Sequence, residues 1–426
     1  MHRFSTSSGK MLWYDVTNNR ISLWNPSKDT KAFPVIQFKE PTKVVSADKI
    51  RMFTIEMTQQ CNLRCSYCCY SGLYRDRRPH NNKEISITTL RQTVDFIKRH
   101  ADKESTEITV CFYGGEALLA QKKMKWLTSE LTSVFGEKII FSLSTNGLAL
   151  TESIVDWICS YDRFLVNVTI DGNKAMHDKY RKTKTGQGSF EVIVKNLELF
   201  QQKYPVSFND RVRFLSTVYS WRDVEKLAEV WDMTPILTGH YPIHISHIIP
   251  NFSTGQQVYD TWEVKNDFYK KAYAEYIIGK KNILSGCFQK LLDIVNKRNY
   301  LTLADELKIE TCFQSLFSCF INVNGDVYAC ERFCGEAKIG NVFDGFDDMS
   351  AQVLLRHFTE RKNIFCSSCW AQRFCRMCMT GLNYTDEEMN VMCEMERDTI
   401  DLALKYYCDL KDWEQINNKK IGIFNQ

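Results

Sequence analysis

Short apolar stretches alternate with longer amphipathic ones between residues 51 and about 250. The apolar positions Leu90, Val94 and Ile97 recur at helical spacing, which predicts a helix that buries one face. The apolar stretches between such helices predict six strands, at 53–57, 108–113, 139–144, 164–170, 212–219 and 243–249. Repeated strand–helix units favour a parallel sheet with right-handed crossovers. The pattern therefore predicts an α/β fold built on a partial (β/α)6, TIM-like barrel, with its chemistry at the C-terminal strand ends.

The remaining chain divides by composition into smaller regions. Residues 1–50 predict a β-hairpin appendage, because two apolar stretches flank Thr17-Asn18-Asn19. We consider two roles for it: a cap over the open bottom of the barrel, or an edge strand that captures an extended peptide. The predicted domains are then 51–255 for the barrel, 256–310 for a helical connector, 311–396 for a cysteine-rich domain and 397–426 for a C-terminal helix and tail.

Charge and cysteine content narrow the possible functions. The net charge of +4 over 426 residues argues against a protein built mainly to bind nucleic acid. The sequence has neither a membrane-length apolar run nor the apolar core of a secretion signal, so we expect a cytoplasmic protein without a membrane partner. Disulfides are rare in that reducing compartment. The 17 cysteines, nine of them between 312 and 393, therefore indicate ligands of metals or clusters.

Three of these cysteines follow the first predicted barrel strand directly. Cys61, Cys65 and Cys68 have C-x3-C-x2-C spacing, with the aromatic Tyr67 before the last of them. A four-iron, four-sulfur cube normally takes four cysteines, so three ligands leave one iron open for a small molecule. A structural zinc site or buried free cysteines are the alternatives, although zinc sites usually pair one C-x2-C with another.

Polar and glycine-rich motifs end the following barrel strands. They are Tyr113-Gly114-Gly115-Glu116, Ser144-Thr145-Asn146-Gly147 and Thr169-Ile170-Asp171-Gly172, and His177-Asp178-x2-Arg181 lies shortly after them. Glycines allow close approach of the backbone to a ligand, and the carboxylate of Glu116 can hold an ammonium group. Ordinary turn chemistry at strand ends is the alternative for each motif taken alone.

A second cysteine cluster occupies the C-terminal part of the chain. It comprises Cys312, Cys319, Cys330, Cys366, Cys369, Cys375, Cys378 and Cys393. Val323-Asn324-Gly325-Asp326-Val327 predicts a tight hairpin that brings Cys319 and Cys330 towards one end. Taken alone, the C-x2-C pairs would also suit zinc.

Together, these motifs resemble the radical S-adenosylmethionine (radical SAM) enzymes with a SPASM extension. The resemblance implies that Cys61, Cys65 and Cys68 hold a [4Fe-4S] cluster whose open iron binds SAM. It implies that Tyr67, Gly114, Gly115 and Glu116 lie at SAM, the last three at its amino group. Thr145, Asn146, Thr169 and Arg181 would contact its ribose and carboxylate.

The SPASM resemblance implies two auxiliary [4Fe-4S] clusters, three clusters in all. The first would take Cys312, Cys319, Cys330 and Cys378, and the second Cys366, Cys369, Cys375 and Cys393. Two features depart from the family pattern. Cys375 and Cys378 are separated by two residues where the family usually has three, and Cys334 is an additional cysteine near Cys330. Cys334 is therefore an alternative ligand in place of Cys378.

The resemblance also implies a reaction. One electron, from a flavodoxin or ferredoxin, would cleave SAM to a 5′-deoxyadenosyl radical that removes hydrogen from a ribosomally made precursor peptide. The first hypothesis is a peptide maturase that installs a thioether or carbon–carbon cross-link. The alternative is an anaerobic sulfatase-maturating enzyme, which makes formylglycine, and in such relatives an acidic residue at the place of Glu331 acts near the substrate. Glu331 is therefore the candidate catalytic residue, with a role beside the cluster as its alternative.

Other functions remain as weaker hypotheses. An iron–sulfur electron carrier would not need the Gly-Gly-Glu motif, and a nucleic-acid-modifying relative lacks support from the charge. Whether a separate leader-binding protein takes part stays open.

Overall fold

The computed structural model describes residues 1–25, 35, 37–39, 48–74, 77–248, 260–298 and 317–417. Within these ranges the strands form a small three-stranded sheet and a ten-stranded sheet. The strands are β1 His2–Ser5, β2 Met11–Asp15, β3 Arg20–Leu23, β4 Met52–Thr58, β5 Ile108–Gly114, β6 Ile139–Thr145, β7 Phe164–Thr169, β8 Val212–Val218, β9 His244–His247, β10 Ser318–Ile321, β11 Asp326–Tyr328, β12 Gly340–Asn341 and β13 Gly345–Phe346.

Strands β4 to β9 form the partial barrel that the sequence predicts. Each pairs in parallel with the next along the chain, from Met52 beside Thr109 to Val218 beside His247. Buried and half-buried residues alternate along β5, β6 and β7, because successive side chains point to opposite faces of a strand. The predicted α/β fold with a parallel barrel is confirmed.

Helices cover the outer face of this sheet. They are α1 Ile87–His100, α2 Gln121–Phe135, α3 Glu152–Cys159, α4 Lys174–Tyr180, α5 Phe190–Lys203, α6 Pro205–Arg211, α7 Trp221–Val230, α8 Trp262–Ile277, α9 Ile283–Asn296, α10 Asp348–Cys366 and α11 Asp386–Asn417. Helix α1 begins where the Ser86 side chain accepts a hydrogen bond from Thr89 N, and Leu90, Val94 and Ile97 form its buried face as predicted. None of the helices in the described part of the chain is long and apolar enough to cross a membrane.

The cysteine-rich region extends the barrel sheet directly. Strand β10 pairs in parallel with β4, so that Cys319 lies beside Phe53, and β11, β12 and β13 follow as antiparallel neighbours. The predicted hairpin turn lies between β10 and β11, where Gly325 adopts a positive φ of 88° that favours glycine. The barrel and the cysteine-rich region therefore share one continuous sheet.

The N-terminal sheet has a strand that the sequence analysis missed. β1 adds a third strand to the predicted hairpin of β2 and β3. Its contacts are made with helix α11 and the segment 370–374: His2 Nε2 lies 2.7 Å from Asp401 Oδ1, and its ring stacks on Trp370 at 3.5 Å. The described part of this sheet thus packs against the C-terminal helix, and its role as a cap or as a peptide-binding edge remains a prediction.

Helix α11 connects the cysteine-rich region with the N-terminal sheet. It runs without interruption across the predicted boundary at 396/397, and it carries both Cys393 and the aspartates that bind the N-terminal sheet. Ser7 N donates to Asp409 at 2.9 Å.

A buried carboxylate ties the barrel to the hairpin of the cysteine-rich region. Glu56 on β4 is 1% exposed and forms an ion pair with Arg78. Its other oxygen accepts hydrogen bonds from Gln59 Nε2 at 2.8 Å and from Val323 N at 3.2 Å. One side chain therefore fixes β4, the loop after the three cysteines and the β10–β11 turn.

Replacing Arg78 by alanine should destabilise the protein, because it leaves the Glu56 carboxylate buried without its cation. Loss of one partner from a buried pair costs about 3–5 kcal/mol. We expect a clearly lower unfolding midpoint for Arg78→Ala than for Arg91→Ala, an exposed position on α1. Equal midpoints for the two variants would show that the pair does not hold these segments together.

Candidate active site and cluster pockets

The C-terminal ends of the barrel strands enclose one cavity of about 280 Å³, here called the strand-end cavity. The three cysteines predicted to hold the first cluster line it together. The same cavity is lined by every residue predicted to bind SAM: Tyr67, Gly114, Gly115, Glu116, Thr145, Asn146, Thr169 and Arg181. Residues far apart in sequence therefore converge as expected, and their individual roles remain predictions.

The loop that carries the three cysteines is held by backbone hydrogen bonds. A tight turn joins the last two cysteines, where Cys68 N donates to Cys65 O at 3.1 Å. The loop also pairs with the segment after α4, because Arg64 N donates to Lys182 O at 2.7 Å and Ser66 N to Tyr180 O at 3.0 Å. The position of the thiols thus follows from main-chain contacts on two sides.

The two glycines at the end of β5 are required by the backbone of the cysteine loop. A Cβ on Gly114 would lie 2.2 Å from Thr58 O, and one on Gly115 would lie 2.0 Å from Gln60 O. Gly115 N donates to Thr58 O at 2.8 Å. The expectation was that these glycines make room for a ligand. The structure adds a different requirement, the close approach of two protein segments.

Glu116 organises the neighbouring strand end. Its carboxylate accepts from Thr145 Oγ1 at 2.8 Å and from Asn146 N at 2.7 Å, and burial raises its pKa despite these bonds. Asn146 in turn donates to Asn62 Oδ1 at 2.7 Å and approaches Cys61 Sγ at 3.8 Å. Both oxygens of Glu116 are thus engaged by protein donors, and a further contact with an ammonium group remains a prediction.

Asp171 is a site residue to which the sequence analysis assigned no role. It is 3% exposed, accepts from the Tyr67 hydroxyl, and accepts from Thr217 N at 2.8 Å. Arg181 Nη1 donates to the Tyr67 oxygen at 2.8 Å and lies 3.9 Å from Asp171. Burial raises the pKa of both Asp171 and Tyr67. The sequence signal that could have identified Asp171 was its position within the Thr169–Gly172 motif.

The histidine after this motif is structural. Asp171 N donates to His177 Nδ1 at 3.2 Å, so His177 Nε2 carries the proton and donates to Ser189 Oγ at 3.0 Å. Burial lowers the pKa of His177 to about 3, which keeps the ring neutral. Ser189 then donates to Arg181 O at 2.9 Å, so this chain of bonds holds the backbone of Arg181.

The electrostatics of the strand-end cavity suit a cluster and a small polar ligand. Burial raises the pKa of Cys61 to about 12, so these thiols need the positive charge of bound iron to become thiolates. Leu63 N and Tyr70 N approach the sulfurs of Cys61 and Cys68 at 3.4 Å each, which would stabilise that charge. Arg181 Nε is buried, and no group in the described part of the chain pairs with it. It is therefore available to an anionic group of a ligand.

The four cysteines predicted for the second auxiliary cluster converge on one small pocket. Cys366, Cys369, Cys375 and Cys393 all line it, although they come from the end of α10, the following loop and helix α11. Burial raises the pKa of Cys366 to about 11 and that of Cys375 to about 12. This donor set fits a cluster, and the assignment of each ligand remains a prediction.

The set predicted for the first auxiliary cluster is described only in part. Cys312 lies outside the described residues, and Cys319 is buried within the sheet. Burial, together with the nearby negative charges of Glu331 and Cys378, raises the pKa of Cys330 to about 12. Cys378 therefore lies close to Cys330. The alternative ligand Cys334 lines a cavity that Glu331 also lines.

Glu331 does not line the strand-end cavity. It lines a neighbouring cavity of about 300 Å³, here called the side cavity, whereas the next residue, Arg332, lines the strand-end cavity. Glu331 Oε1 lies 3.8 Å from Arg332 Nε. The candidate catalytic carboxylate thus stands at the partition between the two cavities, and its role remains a prediction.

Gly115→Ala should displace the cysteine loop, because the added methyl group has no room beside Gln60 O. We expect the variant to lose most of the signal of the three-cysteine cluster after anaerobic reconstitution, measured by electron paramagnetic resonance with and without SAM. Gly286→Ala is the matched control, since no atom lies within 4 Å of the Cβ added there on α9. A normal spectrum of Gly115→Ala would contradict the predicted clash.

Tyr67→Phe should weaken SAM binding, because it removes the hydroxyl that links Arg181 to Asp171. One hydrogen bond to a charged group is worth about 1.5–3 kcal/mol, or roughly 10- to 100-fold in affinity. Titration of the reconstituted protein with SAM measures the change. Tyr204→Phe, which loses a 3.0 Å bond to Asp156 near the surface, should bind SAM normally. Equal affinities for SAM in the two variants would contradict the role of Tyr67.

Comparisons with known proteins agree with this geometry. The radical SAM superfamily profile matches residues 55–229, and that of the SPASM iron–sulfur cluster-binding domain matches 312–370. A cysteine-type anaerobic sulfatase-maturating enzyme of Clostridium novyi is 23% identical over 338 residues, which cover 75% of this chain and 84% of the relative. The corresponding enzyme of Clostridium perfringens strain 13 is 25% identical over 373 residues, covering 82% and 90%.

A solved structure, native anSMEcpe with bound AdoMet and the Cp18Cys peptide, has the same fold. It superposes with a TM-score of 0.62 at 18% identity, covering 85% of this chain and 99% of that one. The two family matches confirm iron–sulfur clusters and SAM as the cofactors. The chain therefore contains a radical SAM domain followed by a SPASM domain and belongs to the radical SAM enzymes.

Proposed function

We propose that this enzyme removes a hydrogen atom from a residue of a ribosomally made peptide or protein. The observation that carries the proposal is the composition of the strand-end cavity. Its lining combines the three cysteines and the predicted SAM residues of the barrel with Arg332 of the SPASM domain. A substrate in this cavity would therefore contact both domains, which suits a flexible peptide.

The residues of the chain would have the following roles. Cys61, Cys65 and Cys68 hold the cluster, which together with SAM supplies a 5′-deoxyadenosyl radical. Arg181, oriented by Tyr67 and Asp171, binds the carboxylate of SAM. Exclusion of water by the buried strand ends keeps so reactive a species directed at the substrate.

Cross-linking is the first candidate outcome. It removes two hydrogen atoms and joins a carbon to a sulfur or to another carbon. The stretch that runs from Cys69 to Lys83 after the cysteine loop resembles that of peptide maturases. The fold similarity to Streptococcus suis SuiB, whose structure was solved with the precursor peptide SuiA, agrees with this candidate. That similarity has a TM-score of 0.50 at 13% identity and covers 80% of this chain and 74% of SuiB.

Formylglycine formation is the second candidate, and it has equal support. The relatives from Clostridium novyi and Clostridium perfringens, which are covered along most of their length, are sulfatase-maturating enzymes. Glu331 directly follows Cys330, where the family has an acidic residue near the substrate. In this role Glu331 would accept the proton that the substrate radical releases on oxidation.

The electron source and location complete the proposal. A flavodoxin or ferredoxin would deliver the electron, and the 17 cysteines favour the reducing cytoplasm. A separate leader-binding protein is a further partner to test when a precursor peptide is identified.

Anaerobically reconstituted enzyme with SAM and dithionite should form 5′-deoxyadenosine, and a peptide should change mass. The peptides to compare are a sulfatase peptide with its target cysteine and a precursor peptide encoded beside this gene. Loss of two hydrogen atoms with a new thioether or carbon–carbon bond identifies cross-linking, whereas loss of two hydrogen atoms together with replacement of the cysteine sulfur by oxygen identifies formylglycine.

The control is the Cys61→Ala, Cys65→Ala, Cys68→Ala triple variant. It should produce no 5′-deoxyadenosine while it keeps the iron of the auxiliary clusters. If the wild type forms 5′-deoxyadenosine but alters neither peptide, the proposed substrate class is wrong.

A further inference from the structure

The side cavity is not explained by SAM or by the clusters. Its volume of about 300 Å³ is close to that of the strand-end cavity. Its lining is rich in amide and hydroxyl groups rather than cysteines, and includes Gln59, Asn81, Asn322 and Tyr328. Amides and hydroxyls both donate and accept hydrogen bonds, so such a lining suits a peptide backbone.

The two cavities are neighbours across a thin partition. Tyr70 lines both of them, and Glu331 and Arg332 each line one. The Tyr70 hydroxyl donates to Glu331 O at 3.4 Å, which closes the partition. A peptide with one residue in the strand-end cavity would therefore place the neighbouring residues in the side cavity.

The partition is held rigidly from behind. The guanidinium of Arg78 lies 3.9 Å from the centre of the Tyr70 ring, and the buried carboxylate of Glu56 fixes Arg78. The Tyr70 backbone is fixed too, since His80 N donates to Tyr70 O at 2.8 Å. The side cavity is thus preformed and needs no rearrangement to accept a ligand.

The charges around the side cavity leave one cation available. Glu56 is neutralised by Arg78, Asp326 lies 3.5 Å from Lys338, and Glu331 lies 3.8 Å from Arg332. Lys83 lines the cavity, and its ammonium group has no ion-pair or hydrogen-bond partner within the described ranges. Arg77 also lines the cavity, but it has a contact of its own.

We propose that the side cavity binds the residues next to the modified one in the substrate peptide, and that Lys83 selects an acidic side chain there. This inference rests on the proposed peptide substrate. It adds a preference that neither the barrel motifs nor the cluster ligands would produce. Glu331 also lines this cavity and would disfavour a carboxylate placed close to it.

Binding of three labelled peptides to the reconstituted holoenzyme with SAM tests the proposal. Each peptide carries one central cysteine, and the flanking residues are acidic, uncharged or basic. The wild type should bind the acidic peptide most tightly, with an affinity that falls as salt is raised. Lys83→Glu should weaken that binding by roughly two- to fivefold, the range for loss of one exposed charge pair, and should favour the basic peptide.

Lys195→Glu is the control with the same charge change, at an exposed position of α5 outside both cavities. It should bind all three peptides like the wild type. Equal affinities of the wild type for the three peptides, no binding at all, or an effect of Lys195→Glu equal to that of Lys83→Glu would overturn the inference.

Product analysis of the same samples by mass spectrometry separates this inference from the proposed function. Charge-selective binding without any modified peptide would support the subsite and contradict the peptide modification. If all three peptides bind with equal affinity and all are modified, the result would support the peptide modification and contradict the subsite.

Discussion

The contact between the end of β5 and the backbone before the three cysteines is the constraint on which the site depends. Gly114 and Gly115 allow Thr58 and Gln60 to approach so closely that no side chain fits between them. Since Gln60 precedes Cys61 directly, this contact fixes the first ligand relative to the barrel. The next strand end is then attached through Glu116, which binds Thr145 and the backbone of Asn146.

On the SPASM side, the continuous sheet likewise fixes cysteines relative to the barrel. Because β10 pairs with β4, the strand that leads into Cys61 also positions the hairpin that leads to Cys330. Glu56 reinforces this arrangement through Arg78 and Val323 N. For the predicted ligand sets, the spacing between the SAM cluster and the first auxiliary cluster would therefore be set by one strand and its hydrogen bonds. A flexible linker between separate domains would leave that spacing variable.

The sequence predicted those features that depend on local spacing. The alternation of strands and helices gave the barrel, and the separation of the cysteines gave the iron–sulfur interpretation. Contacts between distant residues could not be predicted in this way. Asp171 matters through Tyr67 and Thr217, more than 40 residues away on either side. The N-terminal sheet binds α11 through pairs such as His2 with Asp401, which no periodicity reveals.

The partition between the two cavities explains why barrel motifs alone do not decide the reaction. Cross-linking and formylglycine formation both begin with removal of one hydrogen atom, so they place the same demands on the cluster and on SAM. They differ afterwards, in whether a second group of the peptide or an oxygen donor reaches the oxidised carbon. Under the proposed function, that choice would depend on the residues that border the substrate between the two cavities, which here are Tyr70, Glu331 and Arg332. These three residues lie outside the strand-end motifs, so enzymes that share those motifs can differ in their products.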